Sequence, residues 1–172
     1  MNVKEAIKKR RSVRAYKNKP VADRLIKEVV DAARLAPSGH NMQPWRFYVL
    51  KNNKSLCTRL RKEKIFYQDF PCTAPAIIVC CADPEVYHGW REKGNKKRAF
   101  RDLNIASAFL VLRATELGLG TCYVGWIDGN RLKKMLKLPK NHILPYVITI
   151  GYPAQKLGKH KRKDLNKILR FI

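Results

Sequence analysis

Three arginines and one hydroxyl stand within five positions of each other, at Arg10, Arg11, Ser12 and Arg14. Guanidinium forks hold phosphate bidentately, so this cluster suits a phosphate-bearing ligand better than a run of lysines would. A second cluster, Pro37-Ser38-Gly39-His40-Asn41-Met42-Gln43-Pro44-Trp45, places amide and hydroxyl groups between two prolines. Such groups can hydrogen-bond a polar ring edge or a sugar-alcohol chain, with Trp45 packing behind them. Taken singly, the first cluster reads as basic surface and the second as an ordinary loop. Their pairing through one amphipathic helix is what points to a ligand. The rest of the chain offers no Ser/His/Asp set and no paired carboxylates. His40, His88, His142 and His160 share no ligand spacing with Cys57, Cys72, Cys80, Cys81 and Cys122, so no metal is expected. The odd number of cysteines and the lack of Cys-x-x-Cys mark reduced core thiols. A chain without acid–base machinery can leave the reaction to a cofactor and supply binding and orientation. Neither Gly-x-Gly-x-x-Gly nor a Walker loop is present, which argues against a Rossmann or P-loop nucleotide site.

The elements that must position these clusters follow from periodicity and caps. Asn2 and Glu5 form a capping box for a short helix with Val3 and Ile7 on its apolar side, ending at Arg10-Arg11-Ser12. Val21, Leu25, Ile26, Val29, Val30 and Ala33 recur at helical spacing until Pro37-Ser38-Gly39 stops them. Trp45 to Leu50 predicts a strand, and Ala76 to Ala82 a strand buried on both faces, with a basic helix between them starting near Ser55. Residues 84–97 are polar and rich in Lys and Gly, which predicts a mobile segment or lid with Trp90 as its main bulky group. From Phe100 to Leu117 runs the most apolar helix; being apolar nearly all round, it needs a second burial partner, for which a subunit interface is the natural source. A strand from Thr121 to Trp126, a helix from Gly129 to Leu138 and a strand from Leu144 to Ile150 complete the pattern. Two helices precede any strand and the later elements interleave unevenly, which predicts α+β in preference to a βαβ array.

The 172 residues fit one domain, 1–172, with a basic C-terminal arm from about residue 156. No apolar run approaches the length of a bilayer span, and the N-terminus lacks a secretory h-region, so the expected location is cytoplasmic. The balance of 37 Lys plus Arg against 13 Asp plus Glu gives a net charge of +24. Such a surface attracts anions without naming one. The cations are spread along the whole chain, so a solvated surface is preferred over a nucleic-acid footprint.

The landmarks Arg10-Arg11-Ser12-Val13-Arg14-Ala15-Tyr16, Ala36-Pro37-Ser38 with Asn41 and Gln43-Pro44-Trp45, Glu116-Leu117-Gly118-Leu119-Gly120-Thr121-Cys122, Leu138-Pro139 and Ile150-Gly151-Tyr152-Pro153-Ala154 arrive in a familiar order and span almost the full chain. In this the chain resembles the FMN-dependent nitroreductases. The resemblance implies a central mixed, largely antiparallel sheet flanked by helices, with FMN held at a homodimer interface. It implies that Arg10, Arg11 and Ser12 hold the FMN phosphate and ribityl, and that Arg14 faces the pyrimidine edge, where a positive group stabilises the reduced anion. Pro37, Ser38, Gly39, Asn41 and Gln43 would line the flavin from the partner subunit. Gln68 would contact the pyrimidine ring, Gly125 would present its N–H near flavin N5, and Lys161 and Arg162 would form a second phosphate clamp beside His160. The implied activity is ping-pong hydride transfer from NADH or NADPH through FMN to a nitroaromatic, quinone or related acceptor, with protons from solvent and no catalytic side chain. Relatives of this fold also carry out reductive dehalogenation or flavin destruction. A flavin protein without turnover and a basic nucleic-acid-binding protein are the other readings; the latter leaves the two polar loops as coincidence.

Overall fold

The computed structural model describes residues 1–51, 54–89, 94–156, 158 and 161–172. Its helices are α1 (Val3–Lys9), α2 (Asp23–Arg34), α3 (Lys54–Lys62), α4 (Asn95–Glu116) and α5 (Gly129–Met135), and its strands β1 (Trp45–Lys51), β2 (Ala76–Ala82), β3 (Gly120–Val124) and β4 (Ile143–Gly151). The strands form one sheet in the order β1-β2-β4-β3. All three pairings are antiparallel, and a parallel contact enters at the isolated bridge between Ser12 and Thr121.

Side-chain alternation along β2 divides the core in two. Ala76, Ile78, Cys80 and Ala82 pack with α2 and α4 through Ile26, Val29, Leu103, Ala106 and Leu110. Ile77, Val79 and Cys81 point the other way, to Leu60 of α3 and Leu132 of α5. A strand has a side-chain period of two, so a continuous apolar run is what a central strand between two helical layers requires. The result is an α+β protein of three layers: α2 and α4, the sheet, then α3 and α5.

Several expectations need correction. The segment at 84–97 is not all a lid. Pro84–Tyr87 is a 3-10 turn whose Tyr87 is fully buried, and α4 already begins at Asn95. Trp90 lies outside the described residues. The apolar side of α1 is not buried within the protomer, where Val3 and Ile7 are exposed and Ala6 is the buried residue. The third strand ends at Val124, leaving Trp126 exposed, and α5 stops at Met135. α4 buries Leu103, Ala106 and Leu110, yet presents Phe100 and Phe109 to solvent.

Candidate functional site

The Arg10–Tyr16 segment is stitched to the open edge of β3 and to the chain after β4. The Val13 N–H donates to Thr121 O (2.9 Å), and the Arg14 and Ala15 N–H groups both donate to Gln155 Oε1 (2.9 Å). Tyr16 Oη donates to Val13 O (2.6 Å) and lies 2.7 Å from Thr149 Oγ1. The approach requires a glycine at 120, because a Cβ there would lie 2.6 Å from Val13 Cγ2, which is itself buried. Arg11 Nε donates to Gly158 O (2.8 Å), while its Nη1 donates to Lys8 O (2.6 Å) and Arg10 O (2.9 Å). Much of the Arg11 fork therefore organises the chain, leaving Arg10 and Arg14 as the freer forks.

None of these three arginines forms an ion pair among the described residues. Burial pushes the neighbouring Cys122 thiol up, while Arg14, Ser12 and Arg10 act in the opposite direction. The cations and the hydroxyl thus converge on one stretch of β3. Guanidinium groups without an ion-pair partner among the described residues, at a partly desolvated edge, are suited to hold an anion.

Farther along the same edge, residues 65–68 run beside residues 125–128. Phe66 bridges Ile127, the Asp128 N–H donates to Ile65 O (2.9 Å), and the Tyr67 N–H reaches Trp126 O (3.4 Å). The rings of Tyr67 and Trp126 stack with centroids 5.6 Å apart, both largely exposed. This brings Gln68, itself exposed, alongside Gly125, and the Arg14 guanidinium sits 5.9 Å from the Phe70 ring centroid. A Cβ at Gly125 would meet nothing nearer than Pro145 O at 3.9 Å, so the protomer's own packing does not require glycine there. From Thr121 to Gly125 is about 13 Å of strand. The edge thus offers cations at one end, an accessible backbone at the other and exposed aromatic rings beside it.

The Pro37–Pro44 loop is held in a single conformation elsewhere. Gly39–Asn41 forms one 3-10 turn, and His40, Asn41 and Gln43 have φ of 50°, 56° and 47°. Non-glycine residues in this left-handed region cost on the order of 1 kcal/mol each and persist where the surroundings enforce them. Here the Gln43 N–H donates to Ser38 Oγ (2.9 Å), Gln43 Nε2 donates to Asn41 O (3.0 Å), and the Gly39 N–H donates to Asp102 Oδ2 (2.8 Å). The same carboxylate accepts a short hydrogen bond from Tyr87 Oη. Asp102 is buried within α4. No sequence motif marks it; its signal is a carboxylate on the face of α4 that Ala99, Leu103 and Ala106 bury. Gln155 was missed as well, and no local pattern marks it.

The two clusters do not meet within one protomer. Ser12 bridges Thr121, which pairs with Ile150, then Ala76, then Lys51 at the end of β1. Trp45, which the Pro37–Pro44 loop enters, stands at the other end of β1. The clusters therefore occupy opposite corners of the sheet, about 20 Å apart along the strands and about 19 Å across them. α4 gives the same answer: Asp102 holds the loop near its start, and the chain leaving its C-terminus enters β3 beside Ser12, about 21 Å away. Lys161 and Arg162 lie on the exposed arm beyond Gly158, where Leu165, Ile168, Leu169, Phe171 and Ile172 also face solvent. His160 falls outside the described residues.

Comparison with known proteins agrees with this frame. The sequence pattern of the Nitroreductase family matches residues 7–66 and 58–152. The Methanothermobacter thermautotrophicus protein named NADH dehydrogenase/NAD(P)H nitroreductase is 33% identical over 98% of this chain and 86% of its own. Rat iodotyrosine deiodinase 1 is 28% identical over 96% of this chain and 67% of its own. The structure of an Exiguobacterium sibiricum nitroreductase in complex with FMN superposes with a TM-score of 0.90 at 20% identity, over 100% of this chain and 98% of that one, and shares the fold. The landmarks, the three-layer fold and the matched pattern across most of its length converge: this chain belongs to the nitroreductase family.

Proposed function

We propose that the chain is an FMN-dependent NAD(P)H oxidoreductase that works as a homodimer, with residues 1–172 of each copy forming one FMN-binding domain. The observation that carries the proposal is the β3 edge, where uncompensated arginines and the exposed Gly125–Trp126 backbone stand on one line. The donor chemistry there fits FMN: guanidinium and hydroxyl groups for a phosphate monoester, and amide and aromatic groups for a polar tricycle. The relative named NADH dehydrogenase/NAD(P)H nitroreductase and the FMN complex of the Exiguobacterium protein support the same assignment. When bound, FMN supplies a two-electron carrier that accepts hydride from NAD(P)H and yields it to an oxidised acceptor.

The chain's own part is to bind and orient. Arg10, Arg11 and Ser12, with Lys161 and Arg162 from the arm, neutralise the phosphate. Arg14 and Gln68 face the pyrimidine edge, and Gly125 offers its N–H without a side chain in the way. Ser38, Gly39, Asn41 and Gln43, with Pro37 shaping the loop, come from the second copy, because their corner of the sheet is too far from Ser12 to serve the same site. A two-fold dimer supplies both corners twice. It also gives the exposed Val3, Ile7 and Phe109 and the apolar C-terminal arm a surface to bury against. Nitroaromatics and quinones are the proposed acceptors. The deiodinase relative makes an iodinated phenol the natural second class to assay.

The test is an anaerobic visible spectrum of the FMN-reconstituted protein. NADH or NADPH should bleach the flavin band, and a nitroaromatic or quinone should restore it. Protein that takes up no flavin from excess FMN contradicts the proposal.

A further inference from the structure

Two thiols away from the β3 edge share a pocket of their own. Cys57 on α3 and Cys72 in the 3-10 turn Phe70–Thr73 are both reduced, and both line a cavity of about 560 Å³. Cys57 Sγ donates to Cys72 O (3.1 Å), and the two side chains are also hydrogen-bonded to each other. A protein S–S bond is about 2.05 Å long, so sulfurs in such contact have little distance to close. Cys57 is half-buried and reachable from the cavity, whereas Cys72 is buried. The pair belongs to the α3 side of the sheet, away from α4. The remaining cysteines, Cys80, Cys81 and Cys122, are buried in β2 and β3.

The surroundings of the pair are cationic. Helical periodicity sets Lys54 three residues before Cys57 and Arg61 four after it, on one face of α3, and both line the cavity. Lys17 and Lys19 line it from the chain before α2, and no carboxylate is among the described lining residues. Asp69 lies near enough to Cys72 to act on it, against Arg61. Cations beside a half-buried sulfur favour its thiolate and raise the local concentration of anionic reagents.

The two sulfurs are suited to different steps. Burial first, and then the neighbouring Cys57, push the Cys72 thiol up to about 11, so Cys72 holds its proton while Cys57 is the sulfur that a reagent in the cavity meets. Once Cys57 is covalently occupied, its share of that push on Cys72 is gone. We propose that Cys57 and Cys72 form a redox-active dithiol whose pocket takes a small anionic disulfide and closes as a protein disulfide between α3 and the 70–73 turn. The Cys57 thiolate attacks one sulfur of the reagent, whose S–S bond breaks, and one half leaves as a thiolate that takes up a proton. The Cys72 sulfur then displaces the second half from Cys57. The two cysteines lose two electrons and two protons, and the reagent gains them to become two small thiols. This site is independent of the flavin reading.

The experiment uses the full chain as purified, reduced and then freed of reductant. It is exposed to glutathione disulfide, which is anionic, or to cystamine, which is a cationic disulfide, and each rate is divided by that of the same reagent with the neutral thiol 2-mercaptoethanol. Remaining thiols are blocked with N-ethylmaleimide, and the digest is read by mass spectrometry. The Cys57 and Cys72 peptides should be recovered joined, while Cys80, Cys81 and Cys122 should take maleimide only after unfolding. Cys72→Ser should stop at one glutathione on Cys57, and Cys57→Ser should leave Cys72 unmodified. After normalisation, glutathione disulfide should react about tenfold faster than cystamine, and Lys54→Gln/Arg61→Gln should remove most of that preference. Lys62→Gln/Lys64→Gln, an equal loss of charge outside the pocket lining, should retain it. A mixed disulfide that persists on Cys57 of the unsubstituted chain overturns the dithiol. Cystamine that reacts as fast as glutathione disulfide, or equal effects of the two double variants, overturns the anionic class of reagent. A folded chain in which Cys57 reacts no faster than the three strand cysteines overturns the site altogether.

Discussion

Arg11 Nε donates to the carbonyl of Gly158 at 2.8 Å, joining the first basic cluster to the start of the C-terminal arm across 147 positions of sequence. One side chain thereby brings together two cationic segments that would otherwise repel, and it does so where a phosphate dianion would offset both. Arg11→Gln should weaken FMN binding about tenfold or more, the scale of one charge-assisted hydrogen bond, and should loosen the arm. Fluorescence titration of FMN measures the first effect, and the rate of proteolysis after Lys156 measures the second. Wild-type affinity should also fall as salt is raised.

Two glycines on the same strand edge should behave oppositely. Gly120→Ala drives a methyl into Val13 and should cost about 1–3 kcal/mol of stability, read as a lowered Tm. Gly125→Ala meets only Pro145 O at 3.9 Å and should leave Tm unchanged while slowing flavin reduction. A stability loss at 125 equal to that at 120 would show that Gly125 is kept for packing.

Asp102 serves the Pro37–Pro44 loop from inside α4. Asp102→Ala leaves the half-buried Gly39 N–H and the buried Tyr87 hydroxyl without their acceptor, at about 2–3 kcal/mol in total. Urea unfolding should show that loss. FMN affinity should fall with it, although Asp102 is not among the proposed flavin contacts, because the left-handed turns at His40, Asn41 and Gln43 lose an anchor.

Alkaline pH should destabilise the fold. Burial pushes the Cys81 thiol from 9.0 up to about 12, with Lys133 opposing, and also raises Cys72, Cys80 and Cys122. The unfolded chain ionises these thiols first, so their contribution is whole below about pH 9 and is lost as pH rises from there toward 12. Urea midpoints measured from pH 8 to 11 should fall steadily, and Cys81→Ala should flatten part of the decline.

Much of this arrangement was legible in the sequence. Ala76–Ala82 was placed to the residue because seven consecutive apolar side chains suit a strand covered on both faces. The Ser12 and Asn41 clusters stand out in the sequence by residue type and by their pairing through one helix. The start of α4 at Asn95 is hidden, since Asn95-Lys96-Lys97-Arg98 carries no apolar stripe and follows the left-handed Gly94. The burial of Tyr87 is not legible locally, because it rests on Asp102, fifteen residues away. The opposite-corner placement of the two clusters was beyond local pattern altogether: it follows from strand order, in which β3 and β1 are the two edges.

That placement leads to the central claim, that each flavin site draws on two copies of the chain. A mixed dimer tests it most directly. Arg11→Gln/Arg14→Gln removes one corner and Asn41→Ala/Gln43→Ala the other, so neither variant should hold FMN alone. When the two are coexpressed with different affinity tags and purified as the heterodimer, one site has both corners intact and the other has neither. The heterodimer should bind one FMN per dimer, and NADH or NADPH should bleach it. A heterodimer that binds no FMN, like each variant alone, would contradict the claim.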